Sequence, residues 1–252
     1  MTPEPRQPDV FFLPGIIAPA AQRYAPLLKQ LDDVNAVLKD LEVYRGDTPP
    51  VTYSIATEIE GVLRAADETG VKQFHLYGHS GGGAIALAFA VAHPDRVLTL
   101  ALDEPAGDFT DEGNAEYGWP DFDRALQLPP SESMSEFLRL QVAPGVALPS
   151  PPAGAPPPWM AKRPAGIRAF INALRAHHID ADRYRAFDKP VYFSWGSLTH
   201  PRWTLMGRRL SKLFPNFRSE QFAGLHHLNT SHAAEPQRVA SRLRELWERA
   251  AT

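Results

Sequence analysis

Short apolar runs alternate with longer segments of helical period along this chain. Val10-Phe11-Phe12-Leu13 is an apolar run ended by Pro14-Gly15 and predicts a buried strand. A helix is expected over 20–31 and a second strand over 34–38. Between 53 and 68, Ile55, Ile59, Val62 and Leu63 fall on one face with acidic residues opposite, the pattern of an amphipathic helix. Residues 72–78 read as a strand, and 81–93 as an alanine-rich apolar helix stopped by Pro94. The run at 97–102 (VLTLAL) is apolar enough to lie mid-sheet with both faces covered. Further strands are expected at 191–195 and 217–222, with helices around 205–213 and over 236–250. This alternation predicts an α/β fold: about six mostly parallel strands, right-handed crossovers and helices on both faces. With so few residues before Val10, no leading hairpin is expected.

The alternation fails between 107 and 188. That stretch holds Leu128-Pro129-Pro130 and the run LPSPPAGAPPPW at 148–159, which suits neither helix nor central strand. Helices are expected at 132–141 and 164–177. Trp119, Phe137, Leu138, Trp159, Met160, Ile167 and Phe170 make the stretch too apolar for a solvated linker. It is expected to form a proline-rich lid (107–188) inserted into a core built from 1–106 and 189–252. The lid would cover the carboxyl edge of the sheet, where open α/β folds bind ligands.

At 252 residues the chain is long enough to bury a large core without metals or disulfides. A net charge of -3 gives no reason to expect a nucleic-acid or membrane partner. The absence of cysteine excludes disulfides, thiolate catalysis and cysteine–zinc sites. No apolar stretch has signal-peptide or membrane-spanning length, so a soluble, cytoplasmic protein is expected.

The chemistry centres on Gly78-His79-Ser80-Gly81-Gly82, a G-x-S-x-G motif entered by a strand and left by a helix. Such a sharp turn lifts the serine clear of the sheet, and Gly78 and Gly82 are needed because side chains there would collide with neighbouring backbone. No Lys-Ser or Lys-Thr follows the glycines, which argues against a phosphate loop. Ser80 is therefore the expected nucleophile. A base is expected in the loop after the last strand, Gly224-Leu225-His226-His227-Leu228. His227 is preferred because Leu228 can pack the loop, with His226 the neighbouring choice. His232 stands too near the final helix, and His79 is expected to pack the elbow or line the pocket.

Together these segments resemble the α/β-hydrolase superfamily over nearly the whole chain. LPGI resembles its oxyanion loop, GHSGG its nucleophile elbow and GLHHL its histidine loop. The resemblance implies an oxyanion hole formed by the N–H groups of Gly81 and of Ile16, which follows Gly15. The chain departs from the family in two places. Leu13-Pro14-Gly15 lacks the usual histidine, and Thr199 stands where most members carry the acid of the triad. No Asp or Glu occurs from 189 to 219. Certain relatives carry the acid one strand earlier, where this chain reads Asp103-Glu104-Pro105. Glu104 is in register, with Asp103 the alternative.

The expected activity is hydrolysis of a carboxylic ester, or a related acyl bond, of a small apolar molecule through an acyl-enzyme. Ile17, His79, Trp119 and Trp159 are expected to line the pocket, and no cofactor or metal is implied. Two alternatives remain open: C–C hydrolysis or perhydrolysis on the same site, and a ligand-binding relative without turnover.

Overall fold

A computed structural model describes residues 7–150 and 154–250. Residues 1–6 of the expected core and 151–153 of the proline run lie outside the described residues. The chain first forms β1 (Asp9–Leu13), α1 (Ala20–Leu28), β2 (Asn35–Leu38), α2 (Ile55–Glu68), β3 (Phe74–His79), α3 (Gly81–Ala92) and β4 (Val97–Asp103). Next come α4 (Asp111–Glu116), α5 (Trp119–Gln127), α6 (Pro130–Arg139), α7 (Arg163–Ala176) and α8 (Ala181–Ala186). The chain then returns through β5 (Val191–Gly196), α9 (Arg202–Leu213), β6 (Phe217–Phe222), α10 (Ser231–Ala234) and α11 (Pro236–Glu248).

The six strands form one sheet in the order β2-β1-β3-β4-β5-β6, and every pairing is parallel. Alternate residues feed two cores. Phe11, Leu76, Leu100, Leu102 and Phe193 pack with residues of α2, α3 and α9 on one face. Val10, Phe12, Tyr77, Ala101 and Tyr192 pack with α1 and α11 on the other. This is the period of two that a sheet covered on both faces requires. Helix α3 runs through the first core, with Gly81 to Val91 all buried, so its sequence shows no polar face.

Helix α2 starts where Ser54 and Thr57 form a reciprocal capping box, two residues later than expected from periodicity alone. Helix α5 was not anticipated. Pro120 occupies its first turn, where a missing N–H costs nothing. Helices α6 and α7 fall close to the stretches expected to be helical within 107–188. Among the described residues, no helix is long and apolar enough to cross a membrane.

All strands run the same way, so the ends of β1, β3, β4 and β5 open onto one edge of the sheet. The loops leaving β1, β3 and β4 carry Gly15, Ser80 and Glu104, Gly196 ends β5, and the loop after β6 returns to the same edge with His227.

Candidate active site

Between β3 and α3 the backbone turns at Ser80, whose φ of 52° is left-handed. A non-glycine residue in that region is strained, and such strain persists where the surroundings over-determine it. Here they do. Ser80 N–H donates to the Asp103 carbonyl at 3.1 Å, and the Ser80 carbonyl accepts from Ala84 and Ala106 N–H. The flanking glycines are steric necessities: a Cβ on Gly82 would lie 2.2 Å from the Leu13 oxygen, and one on Gly78 would lie 2.4 Å from the Gly82 oxygen. Strand β1, the elbow and α3 thus pack backbone against backbone.

Ser80 Oγ lies 2.9 Å from Nε2 of His227, and His227 Nδ1 lies 2.7 Å from Oε2 of Glu104. The second carboxylate oxygen, Oε1, accepts the Gly196 N–H at 2.7 Å. Glu104 has a φ of 48°, a second left-handed residue one position beyond β4. The imidazole of His227 is held between two rings: Trp203 stacks on it at 4.6 Å, and His79 lies against it at 4.8 Å. Trp203 is anchored by its own N–H, which donates to the Pro105 carbonyl at 2.8 Å. Ring position and tautomer are therefore set from three sides.

The backbone donors converge beside Ser80. A Cβ on Gly81 would lie 3.4 Å from the Ile16 nitrogen, and neither N–H donates a hydrogen bond among the described residues. Gly82 N–H donates to the Pro14 carbonyl at 2.9 Å, tying the β1 loop to the elbow. At the start of α7, Arg163 donates to the Ile17 carbonyl, and its guanidinium lies 3.7 Å from the Tyr44 ring centre.

The neighbouring candidates occupy other places. Asp103 lies at the centre of a separate buried network: Oδ2 lies 2.8 Å from His232 Nδ1 and accepts from Ser231 and Tyr77, while Oδ1 accepts from Ser194. His79 Nδ1 lies 3.1 Å from the Asp103 carbonyl. His226 shapes its own loop, accepting from the N–H groups of Leu228 and Asn229. Thr199 donates to the Gln141 carbonyl and also faces the Glu104 carboxylate. His79, Asp103 and His232 bring three possible ligand atoms within 4.8 Å of one another. Those atoms already satisfy each other and their neighbours, so the group reads as a polar network rather than a metal site.

Two expectations for the pocket are corrected. Ile17 and His79 line the cavity beside Ser80, but Trp119 and Trp159 do not. Trp119 stacks on Tyr117 and donates to Asn114 along a crevice walled by the start of the insertion. Trp159 lies beside Arg163 in a larger cleft of about 490 Å³ that Pro14 and Gly15 also line. In both cases a tryptophan ring covers a cation or a tyrosine instead of facing Ser80. The Ser80 cavity itself measures about 30 Å³ and is lined in part by Phe137, Leu138 and Gln141. Sequence reasoning places Phe137 and Leu138 in the lid and Leu228 in the histidine loop but assigns none of them to the pocket wall, and it does not single out Arg23 or Gln141.

Burial pushes His227 down from an ordinary 6.5 to about 3, which keeps it neutral and ready to accept a proton. Burial and the nearby Asp103 charge push Glu104 up, opposed by the Gly196 N–H and by Thr199. His75, His79 and His232 are likewise pushed down to about 4 by burial. In the unfolded chain these histidines titrate near 6.5. The stability they represent is therefore intact above 6.5 and is lost as the pH falls toward 4, because unfolding then takes up protons. His75, which pairs with Thr99, alone accounts for about 2 kcal/mol at pH 5. The urea midpoint is expected to fall clearly between pH 7.5 and pH 5. An unchanged midpoint would show that these histidines titrate normally.

The family model described as the alpha/beta hydrolase fold matches residues 43–233. Among curated proteins, the chain is 38% identical over 87 residues to the dihydrolipoyllysine-residue acetyltransferase component of the acetoin cleaving system of Cupriavidus necator, covering 34% of this chain and 23% of that one. It is 35% identical over 86 residues to a fluoroacetate dehalogenase of Burkholderia sp, covering 32% and 28%. The matched stretches thus span about a quarter of those relatives' length. Among solved structures, it is similar to a hydrolase from Pseudomonas aeruginosa, with TM-score 0.73, 19% identity and coverage of 95% and 89%. It is also similar to a thermophilic esterase from Thermogutta terrifontis, with TM-score 0.72, 17% identity and coverage of 97% and 91%. These structural likenesses concern the fold.

Proposed function

Since the chain belongs to the alpha/beta hydrolase fold family, we propose that it is a serine hydrolase that cleaves a carboxylic ester of a small molecule through an acyl-enzyme. The observation that carries this reading is the continuous contact from Ser80 Oγ through His227 to Glu104, at 2.9 and 2.7 Å.

In the proposed reaction His227 Nε2 takes the Ser80 proton as Oγ attacks the substrate carbonyl. Glu104 accepts the Nδ1–H, keeping the productive tautomer and stabilising the imidazolium. The Ile16 and Gly81 N–H groups hold the developing oxyanion. His227 then gives its proton to the leaving alcohol. Water, activated by the same imidazole, releases the acid and regenerates Ser80.

We further read 107–188 as a lid. Phe170 of α7 would lie 3.1 Å from a Cβ on Gly81, and Phe137 and Leu138 of α6 line the cavity. At about 30 Å³ the cavity beside Ser80 has room for only one or two water-sized groups. In this reading, substrate binding widens the cavity at the Phe137 and Leu138 wall.

The test is multiple-turnover hydrolysis of 4-nitrophenyl acetate and butyrate, with the pre-steady-state burst measured. A burst equal to the enzyme concentration followed by steady turnover is expected. A burst without turnover would favour the binding-protein reading. No burst and no rate above the uncatalysed background would remove ester hydrolysis and favour C–C hydrolysis or perhydrolysis on the same residues.

A further inference from the structure

Arg23 is the fourth residue of α1, which follows the Pro14-Gly15-Ile16 loop, and its side chain lines the same cavity as Ser80 and His227. Its Nε is buried without a hydrogen-bond partner. Among the described residues no carboxylate lies within ion-pair distance of its guanidinium. The opposite charge whose field reaches it is Asp103, but both oxygens of Asp103 are engaged by His232, Tyr77, Ser231 and Ser194.

The other guanidiniums near the site are satisfied. Arg202 donates to the Leu140 carbonyl and contacts His200, and Arg163 donates to the Ile17 carbonyl. Arg23 differs in facing a cavity instead of a partner. A buried N–H donor left unpaired is costly, and a planar carboxylate is the group that best satisfies the fork of donors to which Nε of the half-buried Arg23 belongs.

We propose that Arg23 is an anion subsite of this active site, and that the natural substrate is an ester carrying a carboxylate. The inference rests on the serine-hydrolase reading above and specifies its substrate class. Ile17 and Leu228, which share the cavity wall, suit a short apolar link between the carboxylate and the scissile ester. The carboxylate has a second effect. The Arg23 charge opposes protonation of His227, so a substrate anion that neutralises it favours the imidazolium formed during attack.

The carboxylate can sit on either side of the ester, and two matched pairs separate these cases. In the alcohol arm, 4-acetoxybenzoate is compared with 4-acetoxybenzamide. In the acyl arm, monoethyl glutarate is compared with ethyl 4-carbamoylbutanoate. Wild type is expected to prefer the carboxylate member of one arm by about tenfold or more in kcat/KM. Arg23→Gln should abolish that preference, and Arg23→Lys should retain part of it. Equal rates for both members of both pairs in wild type overturn the proposal while leaving the hydrolase standing. So does an Arg23→Gln variant that slows both members of a pair equally, which is the mark of a structural counter-charge to Asp103.

A binding readout separates this inference from turnover. Millimolar 4-hydroxybenzoate or glutarate is expected to raise the unfolding temperature of wild type but not of Arg23→Gln. If no ester is turned over yet this protection is seen, the hydrolase reading fails and the anion site stands. If esters are turned over and neither anion protects, Arg23 is not an anion subsite.

Discussion

Ser80→Ala is expected to lower kcat on a short aryl ester by about 10⁴-fold or more, because removing the nucleophile of a serine triad leaves only the help of binding and the oxyanion hole. Its stability should stay close to wild type. Alanine keeps the Cβ and the left-handed backbone at φ 52°, and the lost hydroxyl contacts His227 alone among the hydrogen bonds seen at Oγ. Ser80→Gly supplies a second variant: glycine adopts this backbone freely, so it should be equally inactive and somewhat more stable. Both are read from steady-state kinetics and from thermal unfolding of the same preparations. If Ser80→Ala keeps a tenth of the wild-type rate, another residue is the nucleophile and the proposed mechanism fails.

The elbow was legible because its constraints are local. A strand, three spaced small residues and an apolar helix follow one another within twenty positions, and Gly78 and Gly82 are needed for contacts between segments that the chain order already brings together. The strands were legible for a similar reason: a run such as VLTLAL has no other place than a sheet covered on both faces.

What the sequence did not reveal depends on which way side chains point after the elements pack. Trp119 and Trp159 were assigned to the pocket for being large and apolar within an insertion, yet one stacks on Tyr117 and the other lies beside Arg163. Trp203, whose ring fixes His227, sits at the start of α9 with no motif to mark it. Arg23 looks in sequence like any surface cation on an amphipathic helix. Only the placement of α1 beside the Gly15-Ile16 loop puts it on the wall of the Ser80 cavity. The choice between His226 and His227 turned on one residue of loop register, which is set by the turn that His226 itself closes.

The two adjacent acids show how packing divides similar residues. Asp103 is the last residue of β4 and points into the network beneath the elbow, whereas Glu104 turns left-handed and points across to the histidine loop. Glu104→Gln is expected to lower kcat by about 10³- to 10⁴-fold with little change in KM, since an amide at 2.7 Å from Nδ1 favours the wrong tautomer and cannot stabilise the imidazolium. Asp103→Asn should behave differently. It removes a buried charge from four partners, so the expected effect is a loss of about 3 kcal/mol of stability. Its kcat per folded molecule should fall less than tenfold, because no Asp103 oxygen bonds His227. Urea titrations and active-site-titrated kinetics on both variants separate the roles. If Asp103→Asn stays folded and loses activity while Glu104→Gln remains active, the triad acid is Asp103, and the 2.7 Å contact to Glu104 serves only to hold the loop.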